Sequence, residues 1–182
     1  MKNKKTKEIK SITLFIVIAV ILLGLVCIFK VYNSKPLKTD NLEILVTDSY
    51  VNYAWGYTYN GTAIFNDGSI YDWSYNDEPL PDQSLEERAE WIKMVGVERD
   101  SRVKTRDINK LLKLIPNLKN RMKVKYVGAD QGSFSIEVWN YKKKSQIPIL
   151  QSGDSKGRNN TKESKKIIKI VSKYTNIKKY EK

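Results

Sequence analysis

The sequence predicts an α+β domain behind an N-terminal transmembrane helix. Three observations carry that expectation. Residues 12–29 form an unbroken apolar run. Two turn-forming pairs, Asn60-Gly61 and Asp67-Gly68, punctuate a stretch of alternating aromatic residues. Three later segments repeat apolar residues at helical spacing, two of them behind a Ser or Thr suited to capping.

The apolar run, ITLFIVIAVILLGLVCIF, holds 18 residues without a charge. At about 1.5 Å per residue it would reach roughly 27 Å, close to a hydrocarbon core of about 30 Å. Lys2, Lys4, Lys5, Lys7 and Lys10 precede it, which orients the N-terminus to the cytoplasm. A cleavable signal needs a shorter apolar stretch and small residues after it. Val31 and Tyr32 are bulky, and Val26 ill suits lipidation at Cys27, so the segment reads as a retained signal-anchor. The expected organisation is a basic cytoplasmic tail at 1–10, a membrane helix at 11–32, a linker at 33–40 and an extracytoplasmic domain at 41–182.

Composition removes several kinds of chemistry. The chain has no His, and its one Cys lies in the apolar run. Ser-His-Asp and Cys-His catalysis, the usual zinc ligand sets and a histidine pH switch are therefore not expected, nor is a cofactor. An outer domain without disulfides, rich in Lys, Ile and Asn, fits a bacterial cell envelope. Charge is segregated. Residues 41–100 carry 12 acids against three bases, whereas residues 101–182 carry 22 bases against six acids. The basic half suits an anionic polymer or lipid surface as much as a solvated face. No recognition motif points to nucleic acid.

The elements follow in order. Residues 42–47 read as a strand. The Asn60-Gly61 pair predicts a two-residue type I′ hairpin joining 53–59 to 62–66, and Asp67-Gly68 a second one leading into 70–75. The result is an antiparallel meander within 42–75. Residues 77–83 are a Pro- and acid-rich loop. Ser84 caps a helix over 85–95 that ends near Gly96. Thr105 is expected to cap a second helix, which Pro116 ends. Residues 123–127, 134–141 and 147–151 read as strands, 152–160 as a polar loop, and Thr161 opens a closing helix with Ile167, Ile168 and Val171 on one face.

Strand alternation would set Tyr53, Trp55, Tyr57 and Tyr59 on one face, joined across the turns by Tyr71, Trp73 and Tyr75. Such a ladder can stack on sugar rings or pack as core. Tyr53, Trp55, Tyr57, Tyr71 and Trp73 are the candidate ligand-binding residues. Asp67, Asp72, Asp77, Glu78 and Asp82 could supply paired carboxylates, with Asp72, Asp77 or Glu78 the candidates for a cell-wall hydrolase. Their spacing does not match a calcium loop, and no metal site is expected. Gly153-Asp154-Ser155 and Ser101-Arg102-Val103-Lys104 echo hydrolase motifs but lack the companion residues. The expected role is therefore non-catalytic binding of envelope glycan, an anionic polymer or another envelope protein, by a domain tethered to the bilayer through residues 11–32. The alternatives are a carboxylate hydrolase and an inhibitor or immunity-type partner.

Overall fold

The computed structural model describes residues 18, 20–22, 41–54, 56–128, 132–175 and 177. The chain divides into two units, Met1–Pro36 and Leu37–Lys182. The predicted membrane run lies almost wholly outside the described residues. Residues 18 and 20–22 are helical and exposed, and no helix among the described residues is long and apolar enough to cross a membrane.

The second unit is built on one eight-stranded antiparallel sheet, as the α+β expectation requires. Its strands are β1 (Ile44–Asn52), β2 (Thr58–Phe65), β3 (Ile70–Tyr75), β4 (Val97–Glu98), β5 (Met122–Tyr126), β6 (Ser133–Asn140), β7 (Ser145–Gly153) and β8 (Ser155–Asn159). They lie in the order β4-β3-β2-β1-β6-β7-β8-β5. The described helices of this unit are α1 (Leu85–Val95), α2 (Thr105–Leu114) and α3 (Lys162–Val171), with short 3-10 turns at Ile115–Asn117 and Tyr141–Lys143.

The two sheet faces bury different chemistry. On one, Val46, Ile64, Ile70, Phe134, Ile136 and Val138 pack beneath α2 and α3, which contribute Ile108, Leu111, Ile167 and Val171. On the other, Phe65, Trp73 and Trp139 pack beneath α1, which contributes Ala89, Trp91 and Ile92. Alternation in β1 explains the division: Val46, Asp48 and Tyr50 point one way, Thr47, Ser49 and Val51 the other.

The meander is present with a different register. Asn60-Gly61 is not a turn. β2 runs straight through it, pairing Tyr50 with Asn60 and Ser49 with Gly61. Gly61 lacks the positive φ that a type I′ turn needs, whereas Gly56 (φ 104°) and Gly68 (φ 90°) have it. The reason is long-range. An eight-residue β2 pairs along both sides, with β1 and β3, and buries Ala63, Ile64 and Phe65, which a local hairpin would forfeit. Gly61 serves packing instead: a Cβ there would come within 2.6 Å of the Trp73 indole. The Asp67-Gly68 turn forms as a four-residue loop, with Gly68 N donating to Phe65 O. This sets Ile64 opposite Ile70 and Thr62 opposite Asp72, one residue from the expected pairing.

Ser84 caps α1 as expected, in a reciprocal box with Glu87, and Gly96 ends the helix. Thr105 is not a cap. The backbone N–H groups of Asp107 and Ile108 both donate to Lys104 O, so Thr105 is the first helical residue and Lys104 the unassisted cap. Thr161 caps α3. The polar stretch 152–160 is mostly strand β8, held between β7 and β5 where both flanking ladders satisfy its backbone.

Candidate functional site

The candidate ligand-binding aromatics do not form one exposed platform. Tyr53, Ala54, Gly56 and Tyr57 lie between the end of β1 and the start of β2, outside both strands. Tyr53 is 65% exposed, Tyr57 is half-buried, and Trp55 lies outside the described residues. Trp73 is core at 3% exposure, opposite Gly61. Tyr71 packs edge-on to Phe65 at 5.2 Å and donates its hydroxyl to Glu98.

A chain of ring contacts still links most of them. Tyr53 meets Tyr57 at 5.4 Å, Tyr57 meets Tyr75 at 6.2 Å, and Tyr75 meets Trp91 edge-on at 5.5 Å. Tyr59 stacks on Trp91 at 6.0 Å and contacts Trp73 at 5.6 Å. Arg88 lies over both Tyr59 and Trp91, 5.7 Å from each ring. Burial pushes the Tyr59 hydroxyl up to about 12. Sequence reasoning missed Trp91 and Arg88, because they sit on α1 and reach the ladder only through tertiary packing.

The predicted acids separate. Asp77 and Glu78 are exposed in the loop after β3. Asp67 pairs with Arg102 and receives Ser69. Asp72 instead joins a carboxylate that the sequence did not single out, Asp48. The two flank Thr62, whose N–H donates to Asp48 Oδ1 (2.7 Å) and whose hydroxyl donates to Asp72 Oδ1 (2.8 Å). Arg99 grips Asp72 with two bonds of 2.5 and 2.6 Å and also donates to the Tyr174 carbonyl, tying β3 to the turn after α3. Asp48 is 5% exposed. Burial pushes its carboxyl up to about 6, despite hydrogen bonds from Thr62 and Thr175 and with a small push from Asp72. Asp48 and Asp72 line one cavity of about 150 Å³. The available signal was an Asp in the middle of an apolar strand, which must find partners. Among the described residues no group of acids is arranged to hold a metal ion.

A larger cleft lies between α2 and α3. Lys110, Lys113, Lys166, Lys169 and Lys173 rim it, Leu114 and Ile170 form its apolar floor, and its volume is about 460 Å³. Helical periodicity sets the rim. Lys110 and Lys113 are three apart on α2, and Lys166, Lys169 and Lys173 follow the same edge of α3 and its last turn. All five lysines are exposed. Lys173 bonds Asp107 at 2.9 Å, and Asp107 also receives the Tyr174 hydroxyl at 2.9 Å. Burial alone would raise the Asp107 carboxyl, but those two donors and the Lys173 charge hold it below its ordinary value. The basic half of the chain thus becomes a shaped surface, which its charge count alone did not show.

No family model, curated protein or solved structure matches the chain.

Proposed function

We propose that the protein is a non-catalytic binding module of a bacterial cell envelope, anchored by a single membrane helix over residues 11–32 with its sheet domain outside the cytoplasm. The anchor rests on the length of the charge-free run and the lysines before it. The binding surface is the lysine-rimmed cleft between α2 and α3, and its ligand is an anionic envelope polymer carrying repeated phosphates. The cleft carries this reading. Lys173 is already paired with Asp107, but the other four ammonium groups set a positive potential over one groove that favours an anion, and an apolar floor suits the carbon chain between the charges.

Binding of a poly(glycerol phosphate) to the full chain in detergent tests the reading, followed by titration calorimetry across salt concentrations. Replacing Lys113, Lys166 and Lys169 together by Gln should weaken binding at least tenfold. Replacing Lys142, Lys143 and Lys144, on the turn before β7, should leave it nearly unchanged. Equal loss in both variants would reduce the interaction to net charge and sink the assignment of the cleft. Location is tested separately, by protease access to residues 41–182 on intact cells.

A carboxylate hydrolase is the second reading. It is favoured by one observation, that Asp48 and Asp72 share a cavity. An Asp48→Asn chain that still released as much soluble fragment from cell walls as the wild type would remove Asp48 from it.

A further inference from the structure

The two ends of the sheet are finished differently. β4, at one end, has two residues, Val97 and Glu98. β5, at the other, has five in unbroken register with β8, and no Pro or bulge interrupts it. Edges are usually made safe by shortness, kinks or charge. Among the described residues β5 pairs with β8 alone. Antiparallel geometry points the N–H and C=O of alternate β5 residues outward, where a further strand would bond.

The side chains of β5 sort by face. Lys123 lies opposite Arg158 and Lys125 opposite Lys156, so one face carries two directly opposed like-charge pairs. Such pairs destabilise a ladder. The register Leu150–Arg158 puts them on the same sheet face as α2 and α3. The other face carries Val124 and Tyr126, 51% and 68% exposed, opposite Gly157 and Ser155. Exposed apolar groups and crowded cations thus alternate along an open edge.

We propose that β5 is a docking edge that accepts an extended peptide segment of alternating acidic and apolar residues as a ninth strand. The ladder of a new strand sets its own alternation. Acids would fall beside Lys123 and Lys125, and apolar residues beside Val124 and Tyr126. A second copy of this chain fits poorly, because antiparallel β5–β5 pairing would add lysines to a face already crowded with cations.

The test uses the full chain in detergent and an end-blocked, fluorescent octapeptide alternating glutamate and valine. Its controls are the same residues in two blocks and an alternating lysine–valine peptide. Anisotropy should show the alternating acidic peptide binding at least tenfold tighter than the blocked order, with slowed amide exchange across residues 122–126. Lys123→Glu with Lys125→Glu should lose at least tenfold for the acidic peptide and gain binding of the lysine–valine one. This variant replaces like-charge pairs by opposite ones, so its fold should stand, and a melting curve checks that. Tyr126→Ser should weaken binding without altering the charge preference. Three results would overturn the proposal: equal binding of the alternating and blocked peptides, no binding of either, or concentration-dependent dimers through β5. No binding would leave the lysines as guards of the edge, and dimers would make a second copy its occupant.

Discussion

The two faces of the sheet solve the same burial problem with different materials. The face under α1 uses few large rings: Phe65, Trp73, Trp91 and Trp139, with Tyr59, Tyr71 and Tyr75 around them. The face under α2 and α3 uses many aliphatic side chains from seven strands and helices, and ends in the Asp48–Thr62–Asp72–Arg99 cluster. One helix suffices over the aromatic face because each ring covers 150–250 Å². Two are needed where branched aliphatics fill the space. The aromatic face therefore depends on a few anchors, and the aliphatic face spreads its stability over many.

The largest expected effect tests that dependence. Trp73→Ala should cost about 4 kcal/mol, within the range for deleting a buried indole, and show as a large fall in the denaturant midpoint. If the aromatic ladder were a ligand platform and not core, the midpoint would hardly move. Trp73→Phe should cost much less, because the buried indole N–H has no acceptor among the described residues and its removal relieves a desolvated donor. On the other face, Leu111→Ala should cost about 3 kcal/mol. A larger loss there than at Trp73 would break the contrast between concentrated and distributed cores.

The elements easiest to read in the sequence were those fixed by neighbours close along the chain. Ser84 caps α1 and Gly96 ends it as expected, and Thr161 opens α3 as expected, each through bonds within one helical turn. Apart from Thr105, where Lys104 takes the cap position, the misread elements were decided across the sheet. Asn60-Gly61 has strong local turn chemistry, yet β1 and β3 hold it extended, and the loss of that turn moved Tyr53 and Tyr57 out of the sheet. β8 has almost no apolar residues and is a strand because two neighbours pair with it. The same limit governs the sites. The lysines of the cleft were visible as charge. That α2 and α3 pack side by side, and that Asp48 meets Asp72 through Thr62, depends on contacts distant in sequence.

A smaller effect sharpens the comparison at the polar end of the aliphatic face. Asp48 holds a folded pKa of about 6 against an ordinary 3.8, so the folded protein binds the proton more tightly than the unfolded chain. Relative to an uncharged isostere, its contribution is fully present below about pH 4 and is lost as pH rises through 6. A displacement of that size corresponds to about 3 kcal/mol as an upper bound. Asp48→Asn keeps an oxygen for the Thr62 N–H, so it should stabilise the protein by about 2 kcal/mol at pH 7.5. The gain should vanish below about pH 4. Urea midpoints at several pH values check this, and a gain that persisted at pH 3.5 would show that burial of the charge is not its cause.

The smallest effect concerns the helices that cover the two faces. Ser84 and Glu87 form a reciprocal box at α1, with bonds of 3.1 and 2.8 Å. Thr161 makes one 3.3 Å bond to the Ser164 N–H at α3. Ser84→Ala should cost about 1 kcal/mol and Thr161→Ala about half that, since the second removes a longer, unreciprocated bond. The costs should also register differently. Fraying α1 uncovers Trp91, the ring on which Tyr59 stacks, so Ser84→Ala should shift tryptophan fluorescence before global unfolding. α3 covers aliphatic side chains, so Thr161→Ala should leave that signal at its wild-type value until the whole domain melts. Identical fluorescence transitions in the two variants would mean that α1 does not open independently, and that the aromatic face is as cooperative as the aliphatic one.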